Sequence, residues 1–120
     1  MYNDEFEARL AKVRHRFASS LESKITDTAA ALPRLAGGAP GAAAILDDAY
    51  RRIHTICGVG PTVGFTATGQ AAREAEAILL IPMRDKRGLT AQESVTFKQA
   101  LDTLWNAARS ELQMMHQRGG

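Results

Sequence analysis

The sequence predicts an all-α protein folded as an antiparallel four-helix bundle. Aromatic residues, which are enriched in strands, make up only 6% of the chain, whereas alanine, the best helix former, is abundant throughout. Apolar residues also recur at steps of three and four along four separate segments. Four amphipathic helices with short connections pack most economically as such a bundle. We expect the 120 residues to form one domain, with a core spanning about residues 4–116.

The first segment carries one apolar stripe and ends at helix-breaking residues. Pro33 cannot donate to the helical ladder, and the pair Gly37-Gly38 favours non-helical torsions, so the first helix should end there or fray. The residues predicted to face the core are Phe6, Leu10, Val13, Phe17, Leu21, Ile25, Ala29 and Leu32.

Proline residues bound the next two segments. A second helix should begin near Pro40 and end or bend at Pro61. A third should run from Phe65 to Leu80, with Pro82 stopping it. The predicted inward positions are Ile45, Leu46, Ala49, Ile53, Ile56 and Gly60 on the second helix, and Ala71, Ala72, Ala75, Ile78 and Leu79 on the third.

A capping box marks the start of the fourth helix. In the segment 90–93, the side chains of Thr90 and Glu93 can each accept a hydrogen bond from the other's backbone amide. We expect the tail Gly119-Gly120 to be disordered. The residues of the fourth helix predicted to face the core are Val95, Leu101, Leu104, Trp105, Ala108, Leu112 and Met115.

Composition argues against several classes of protein. One cysteine cannot form an internal disulfide or a cysteine-based zinc cage, and it suits a reducing compartment. The longest apolar run, residues 78–81, is far shorter than the roughly 20 residues that span a bilayer. The first residues lack the basic and apolar blocks of a signal peptide. We therefore expect a cytoplasmic protein, without a membrane partner, that is a monomer.

The chain is mildly basic, with a formal charge of +2 and a pI near 9.0. Its 15 basic residues are interleaved with 13 acidic ones, and only residues 14–16 and 84–87 form local basic clusters. A nucleic-acid-binding protein usually concentrates Lys and Arg on one face. We therefore expect no nucleic-acid partner, and a basic helical nucleic-acid binder is only a third hypothesis.

The second helix places a histidine beside an unexpected glycine. On a helical wheel at about 100° per residue, His54 lies just outside the core-facing arc. Gly58 follows one turn later on the same face, although glycine in a helix interior costs about 1 kcal/mol relative to alanine. In a chain so rich in alanine, this indicates that Gly58 leaves room for another molecule to approach the imidazole of His54.

The segment around this histidine resembles the signature of histidine-containing phosphotransfer (HPt) domains. That signature has a histidine, a glycine four residues later and a second glycine ten residues later, often followed by phenylalanine. His54, Gly58, Gly64 and Phe65 match it position for position. Residues 69–76 resemble the next helix of the family, which is commonly rich in alanine, arginine and glutamate.

This resemblance implies a phosphorelay intermediate of two-component signalling. In the family, the exposed histidine accepts a phosphoryl group from the aspartyl-phosphate of a response-regulator receiver domain and passes it to another receiver. His54 would be that phospho-acceptor, forming a phosphohistidine, and Glu76 falls where a polar residue often hydrogen-bonds the imidazole. The implied partners are a receiver domain, a hybrid histidine kinase, or both. The receiver supplies the metal and catalytic apparatus, so we expect a non-enzyme carrier with no cofactor and no metal.

One position departs from the family. Cys57 stands where many members have a lysine, three residues after the histidine, and others a small residue. We expect Cys57 to be buried, so that either Arg51 or Arg73 supplies the positive charge or the phosphohistidine is less stable. The departure leaves open an alternative, an adaptor or inhibitor bundle that binds a receiver or histidine kinase without being phosphorylated. The docking residues predicted around His54 are Tyr50, Arg51, Gly58, Arg73 and Glu76.

Overall fold

A computed structural model of the protein describes the backbone of residues 2–117 and the side chains of residues 4–117. It contains four α-helices: α1 (Tyr2–Ala30), α2 (Ala42–Val59), α3 (Thr66–Arg84) and α4 (Ala91–Gln117). Two short 3-10 helices, Leu32–Leu35 and Gly60–Val63, follow α1 and α2. These described residues include no strand, and the all-α prediction is confirmed. The predicted disorder of Gly119-Gly120 falls outside them.

The helices follow one another around a square. Helix α3 packs against α2 and α4, and α1 packs against the same two helices, whereas the diagonal pairs do not pack together over the described range. Each short connection reverses the chain, so neighbouring helices are antiparallel. The predicted antiparallel four-helix bundle is confirmed. None of the described helices has the length and apolar character that crossing a bilayer requires.

The buried stripe of α4 differs from the predicted one at its first turn. Val95 is 52% exposed, whereas Phe97 is fully buried and begins the stripe that continues through Leu101 and Leu104. The prediction that Val95 faces the core is wrong. Phe97 precedes Leu101 by four residues and so lies on the same face of the helix. The largest side chains buried with Phe97 are Leu21, Leu35, Leu46, Ile53, Ile56, Leu79, Leu89 and Leu104.

The apolar stripe of α1 enters the core only in its second half. Phe17, Leu21 and Ile25 are buried as predicted, but Phe6 and Val13 are 65% and 43% exposed. Helix length explains this difference, because the 29 residues of α1 extend about 44 Å and the 18 residues of α2 only about 27 Å. The first half of α1 passes the end of α2 and has no core to face there.

The sequence predicts that Pro82 stops α3. This prediction is wrong, because the helix continues to Arg84. Pro82 lacks the amide that would donate to the carbonyl of residue 78, and its ring crowds that carbonyl, but the two residues after it remain helical. The next bonds still form: the amide of Asp85 donates to the carbonyl of Ile81 at 2.9 Å, and the amide of Arg87 donates to the carbonyl of Pro82 at 3.1 Å.

The capping box of α4 is confirmed and has an additional partner. The amide of Thr90 donates to Glu93 Oε1 at 2.8 Å, and the amide of Glu93 donates to Thr90 Oγ1 at 3.1 Å. Arg87 Nη1 also donates to Glu93 Oε1 at 2.8 Å. The hydrogen bond from Arg87, together with the backbone hydrogen bond from Thr90, lowers the pKa of Glu93 from 4.5 to about 2.

We predict that Glu93→Gln lowers the free energy of unfolding by about 1 kcal/mol at neutral pH, because it removes the charge from this cap. The folded pKa is below the unfolded value, so the stabilisation is present above pH 4.5 and is lost as the pH falls toward about 2. Chemical denaturation of both proteins across this range measures the effect. A difference in stability that stays constant down to about pH 2 would contradict the linkage.

Candidate phosphoryl-acceptor site

His54 lies on the outer edge of α2, with its side chain 63% exposed. The flanking residues Ile53, Ile56 and Cys57 are buried in the core and fix the orientation of the helix. The burial of Cys57 agrees with its prediction as a small core residue. His54 is therefore a solvent-facing imidazole on a rigid element, as its position on the helical wheel predicted.

Glu76 of α3 positions the imidazole of His54. Its Oε2 atom lies 2.8 Å from Nδ1 of His54, and its side chain is only 16% exposed. An ionised carboxylate can only accept a hydrogen bond, so in this pair Nδ1 carries the proton. In a neutral ring the lone pair is then on Nε2, and no other described residue forms a hydrogen bond with either ring nitrogen.

Tyr50 covers one face of the same imidazole. It precedes His54 by four residues on α2, and the two rings stack with centroids 5.5 Å apart and planes 12° apart. Partial burial, followed by the nearby Glu76 and then Cys57, raises the pKa of the Tyr50 phenol. Tyr50 is therefore a neutral stacking partner at physiological pH, and with Glu76 it fixes the plane of the His54 ring.

The glycines of the site differ in their packing. A Cβ atom at Gly69 would lie 2.6 Å from ring carbons of Pro61, and one at Gly60 would lie 3.2 Å from the carbonyl oxygen of Phe65. A Cβ atom at Gly58 would meet nothing within 4 Å. Internal packing therefore accounts for Gly60 and Gly69 and does not account for Gly58, which faces open solvent beside His54.

A tight reversal after α2 brings α3 alongside it. Gly64 has a φ of 94°, in the left-handed region that favours glycine. The amide of Phe65 donates to the carbonyl of Gly60 at 2.8 Å. The buried Phe65 ring packs edge-on against the ring of Phe17, with the two ring centroids 5.2 Å apart. The second glycine and the phenylalanine of the motif thus set the turn that places Glu76 opposite His54.

Two of the predicted docking residues supply positive charge. Arg51 precedes His54 by three residues on α2, and Arg73 precedes Glu76 by three residues on α3, which makes each a neighbour on its helix surface. Both are exposed, and the guanidinium group of neither forms a hydrogen bond or ion pair within the described part of the chain. The structure thus brings Tyr50 and Glu76 against His54 and leaves both guanidinium groups unpaired on the flanks.

Sequence reasoning missed two contacts that hold this end of the bundle. The Glu111 carboxylate on α4 accepts hydrogen bonds from the Thr68 amide at 2.7 Å, the Thr68 hydroxyl at 2.6 Å and the Ala67 amide at 3.2 Å. It caps α3, whose own N-cap residue makes no side-chain hydrogen bond. Arg14 Nε donates to the carbonyl of Val63 at 2.9 Å. Such pairs are more than 40 residues apart in the chain, so no local spacing signals them.

The family model described as "Hpt domain" matches residues 12–111. The chain belongs to the Hpt domain family. The match covers all of α2 and α3 and confirms the resemblance. Hpt domains are phosphocarriers rather than catalysts, and membership implies phosphotransfer in two-component signalling with receiver or kinase partners. No curated protein and no solved structure matches the chain significantly.

We predict that Glu76→Ala shifts the tautomer of His54 in this Hpt domain. The carboxylate holds the proton on Nδ1, so its removal should move proton occupancy toward Nε2. Heteronuclear NMR of the ring nitrogens measures the tautomer directly. Glu74→Ala is the matched control, because Glu74 is exposed on the same helix and forms no hydrogen bond or ion pair with the imidazole. Unchanged ring-nitrogen shifts in Glu76→Ala would contradict the assignment.

Proposed function

We propose that this Hpt domain is a phosphorelay intermediate that carries the phosphoryl group on Nε2 of His54. The observation that supports this most is the 2.8 Å contact between Nδ1 of His54 and Glu76 on an otherwise exposed ring. This contact leaves Nε2 with a lone pair that points away from Glu76, the ring's only hydrogen-bond partner among the described residues. A neutral imidazole of this kind is a good nucleophile near neutral pH.

In the proposed transfer, the Nε2 lone pair attacks the phosphorus of the receiver's aspartyl-phosphate. The bond between phosphorus and the aspartate oxygen breaks, the aspartate carboxylate leaves with the electron pair, and a phosphorus–nitrogen bond forms. The ring retains its proton on Nδ1 and becomes positively charged. The carboxylate of Glu76 stabilises that charge through the existing hydrogen bond. The reverse sequence of bond changes delivers the phosphoryl group to a second receiver.

Positioning and charge neutralisation are the main requirements of phosphoryl transfer. Tyr50 and Glu76 hold the ring in one orientation, and we propose that Arg51 and Arg73 approach the phosphoryl oxygens in place of the family's frequent lysine. In this proposal the partner receiver supplies the metal and the remaining catalytic groups. The protein then acts as substrate and carrier in the cytoplasm, where receivers act.

We predict that His54→Gln abolishes labelling by phosphorylated receiver domains, because the lone pair of an amide nitrogen is delocalised into the carbonyl group and does not attack phosphorus. Incubation of small pools of labelled receivers with both proteins measures transfer, and the label on wild type should be acid-labile and alkali-stable. His116→Gln is the matched control, because His116 is exposed on α4 and has no carboxylate partner among the described residues. Equal labelling of wild type and His54→Gln would overturn the proposal.

The buried Cys57 gives a second candidate function a specific basis. With no cation at this position on the turn after His54, a phosphohistidine has less stabilisation than in relatives with lysine there. An adaptor or inhibitor that binds a receiver or kinase without accepting phosphate would tolerate this loss. Receiver binding that survives His54→Ala, together with no label on wild type from any donor, would favour this second function.

We predict that Gly58→Gln slows transfer by about 10²-fold while leaving helicity unchanged. The added side chain would occupy the open space beside His54 and displace the incoming receiver, and a misplacement of about 1 Å can cost this much. Gly58→Ala is the matched control. Its Cβ meets nothing, and alanine should stabilise α2 by up to about 1 kcal/mol. Single-turnover transfer rates and circular dichroism measure both effects, and a wild-type rate in Gly58→Gln would refute the steric argument.

A further inference from the structure

The first half of α1 extends beyond the bundle as an arm, defined here as residues 2–13. Two contacts mark the height of the α2–α3 reversal along the neighbouring helices. Arg14 of α1 donates a hydrogen bond to the carbonyl of Val63, and Glu111 of α4 accepts one from the amide of Thr68. Residues before 14 in α1 and after 111 in α4 therefore continue past that reversal, in a molecule 56 Å long and 24 Å wide. Residues 2–11 and 112–117 also lie outside the family match, so the implied function does not account for the arm.

The arm has an apolar stripe that is not covered. Among residues 4–13 only Leu10 is partly buried, and Phe6 and Val13 on the same stripe are 65% and 43% exposed. Met114 on the adjoining end of α4 is 47% exposed. An open cavity of about 370 Å³ lies at the base of the arm, lined by Arg14, Phe65 and Met114 among others. Exposed apolar surface of this kind indicates an interaction site.

The charges of residues 4–16, which include most of the arm and the residues just after it, indicate which partner fits. In this segment the acidic residues come first and the basic residues follow, so two copies aligned antiparallel would oppose each acidic end with a basic one. Parallel alignment would bring like charges together, which destabilises pairing. An antiparallel contact between identical helices has two-fold symmetry, as in the commonest homodimers. The charged residues are Asp4, Glu5, Glu7, Arg9, Lys12, Arg14, His15 and Arg16.

We infer that the arm is a self-association surface, on which two copies of this chain pair antiparallel through Phe6, Leu10 and Val13. The arms and the adjoining ends of α4 then form a central helical section between two bundles. Apolar burial supplies the affinity, and the opposed charges select the antiparallel orientation. This inference departs from the monomer expected from sequence, because periodicity alone did not show that the stripe leaves the core.

Sedimentation velocity and light scattering of the full chain test this inference. Wild type should have twice the 13.0 kDa mass of one chain at high concentration, and Phe6→Ser/Val13→Ser should have the mass of a single chain with unchanged helicity. Val95→Ser is the matched control, because Val95 is similarly exposed at the other end of the bundle, and it should remain a dimer. A wild type that is monomeric up to about 1 mM overturns the inference, as does a dimer that survives Phe6→Ser/Val13→Ser.

Charge reversal tests whether these charges take part in the pairing, without altering the apolar stripe. Glu5→Lys/Glu7→Lys leaves Asp4 as the one acidic residue of the segment, and Lys12→Glu/Arg16→Glu leaves the segment predominantly acidic. Each variant alone should be a monomer, and an equimolar mixture should recover the dimer mass. Failure of the mixture to associate, when both variants are folded and wild type is dimeric, would show that the copies do not pair through these charges. The experiment does not depend on phosphotransfer.

Discussion

The close packing of α3 against α2 at their shared reversal is the constraint on which the site depends. A Cβ atom at residue 69 would lie 2.6 Å from two ring carbons of Pro61. Gly69 has no Cβ atom and therefore permits the two helices to approach this closely. From this fixed point, α3 runs back along α2 until Glu76 meets His54, which is 22 residues earlier in the chain. A small change in the crossing of these helices would separate the carboxylate from the imidazole and release the ring.

The sequence predicted those features whose cause is local. The capping box at Thr90 and the exposed edge position of His54 follow from neighbours within one helical turn, and both are confirmed. The prediction that α3 stops before Pro82 is wrong, because the loss of one backbone hydrogen bond at Pro82 does not prevent the last turn of the helix from forming. The buried stripe of α4 begins at Phe97, which lies about 40° from Leu101 around the helix, whereas the predicted Val95 lies about 120° from Leu101 and is exposed.

The remaining features depend on contacts between distant segments. The cap that Glu111 provides for α3 and the bond from Arg14 to Val63 join residues on different helices, so no spacing in one segment reveals them. The exposure of Phe6 likewise depends on the relative lengths of α1 and α2, and not on the pattern within α1. Periodicity identifies which face of a helix is apolar, and only the assembled bundle shows how far that face is covered.

In the proposed carrier, the charges around His54 act in opposite directions. Glu76 stabilises the positive ring of a phosphohistidine, but its own negative charge repels the oxygens of the phosphoryl group that the ring carries. Since Cys57 is buried and offers no cation, Arg51 and Arg73 are the neighbouring groups able to offset that repulsion. Their exposure makes them mobile and well solvated, so they neutralise phosphate less strongly than a fixed cation does. Such a balance favours passing the phosphoryl group onward over storing it, which is the property a relay intermediate needs.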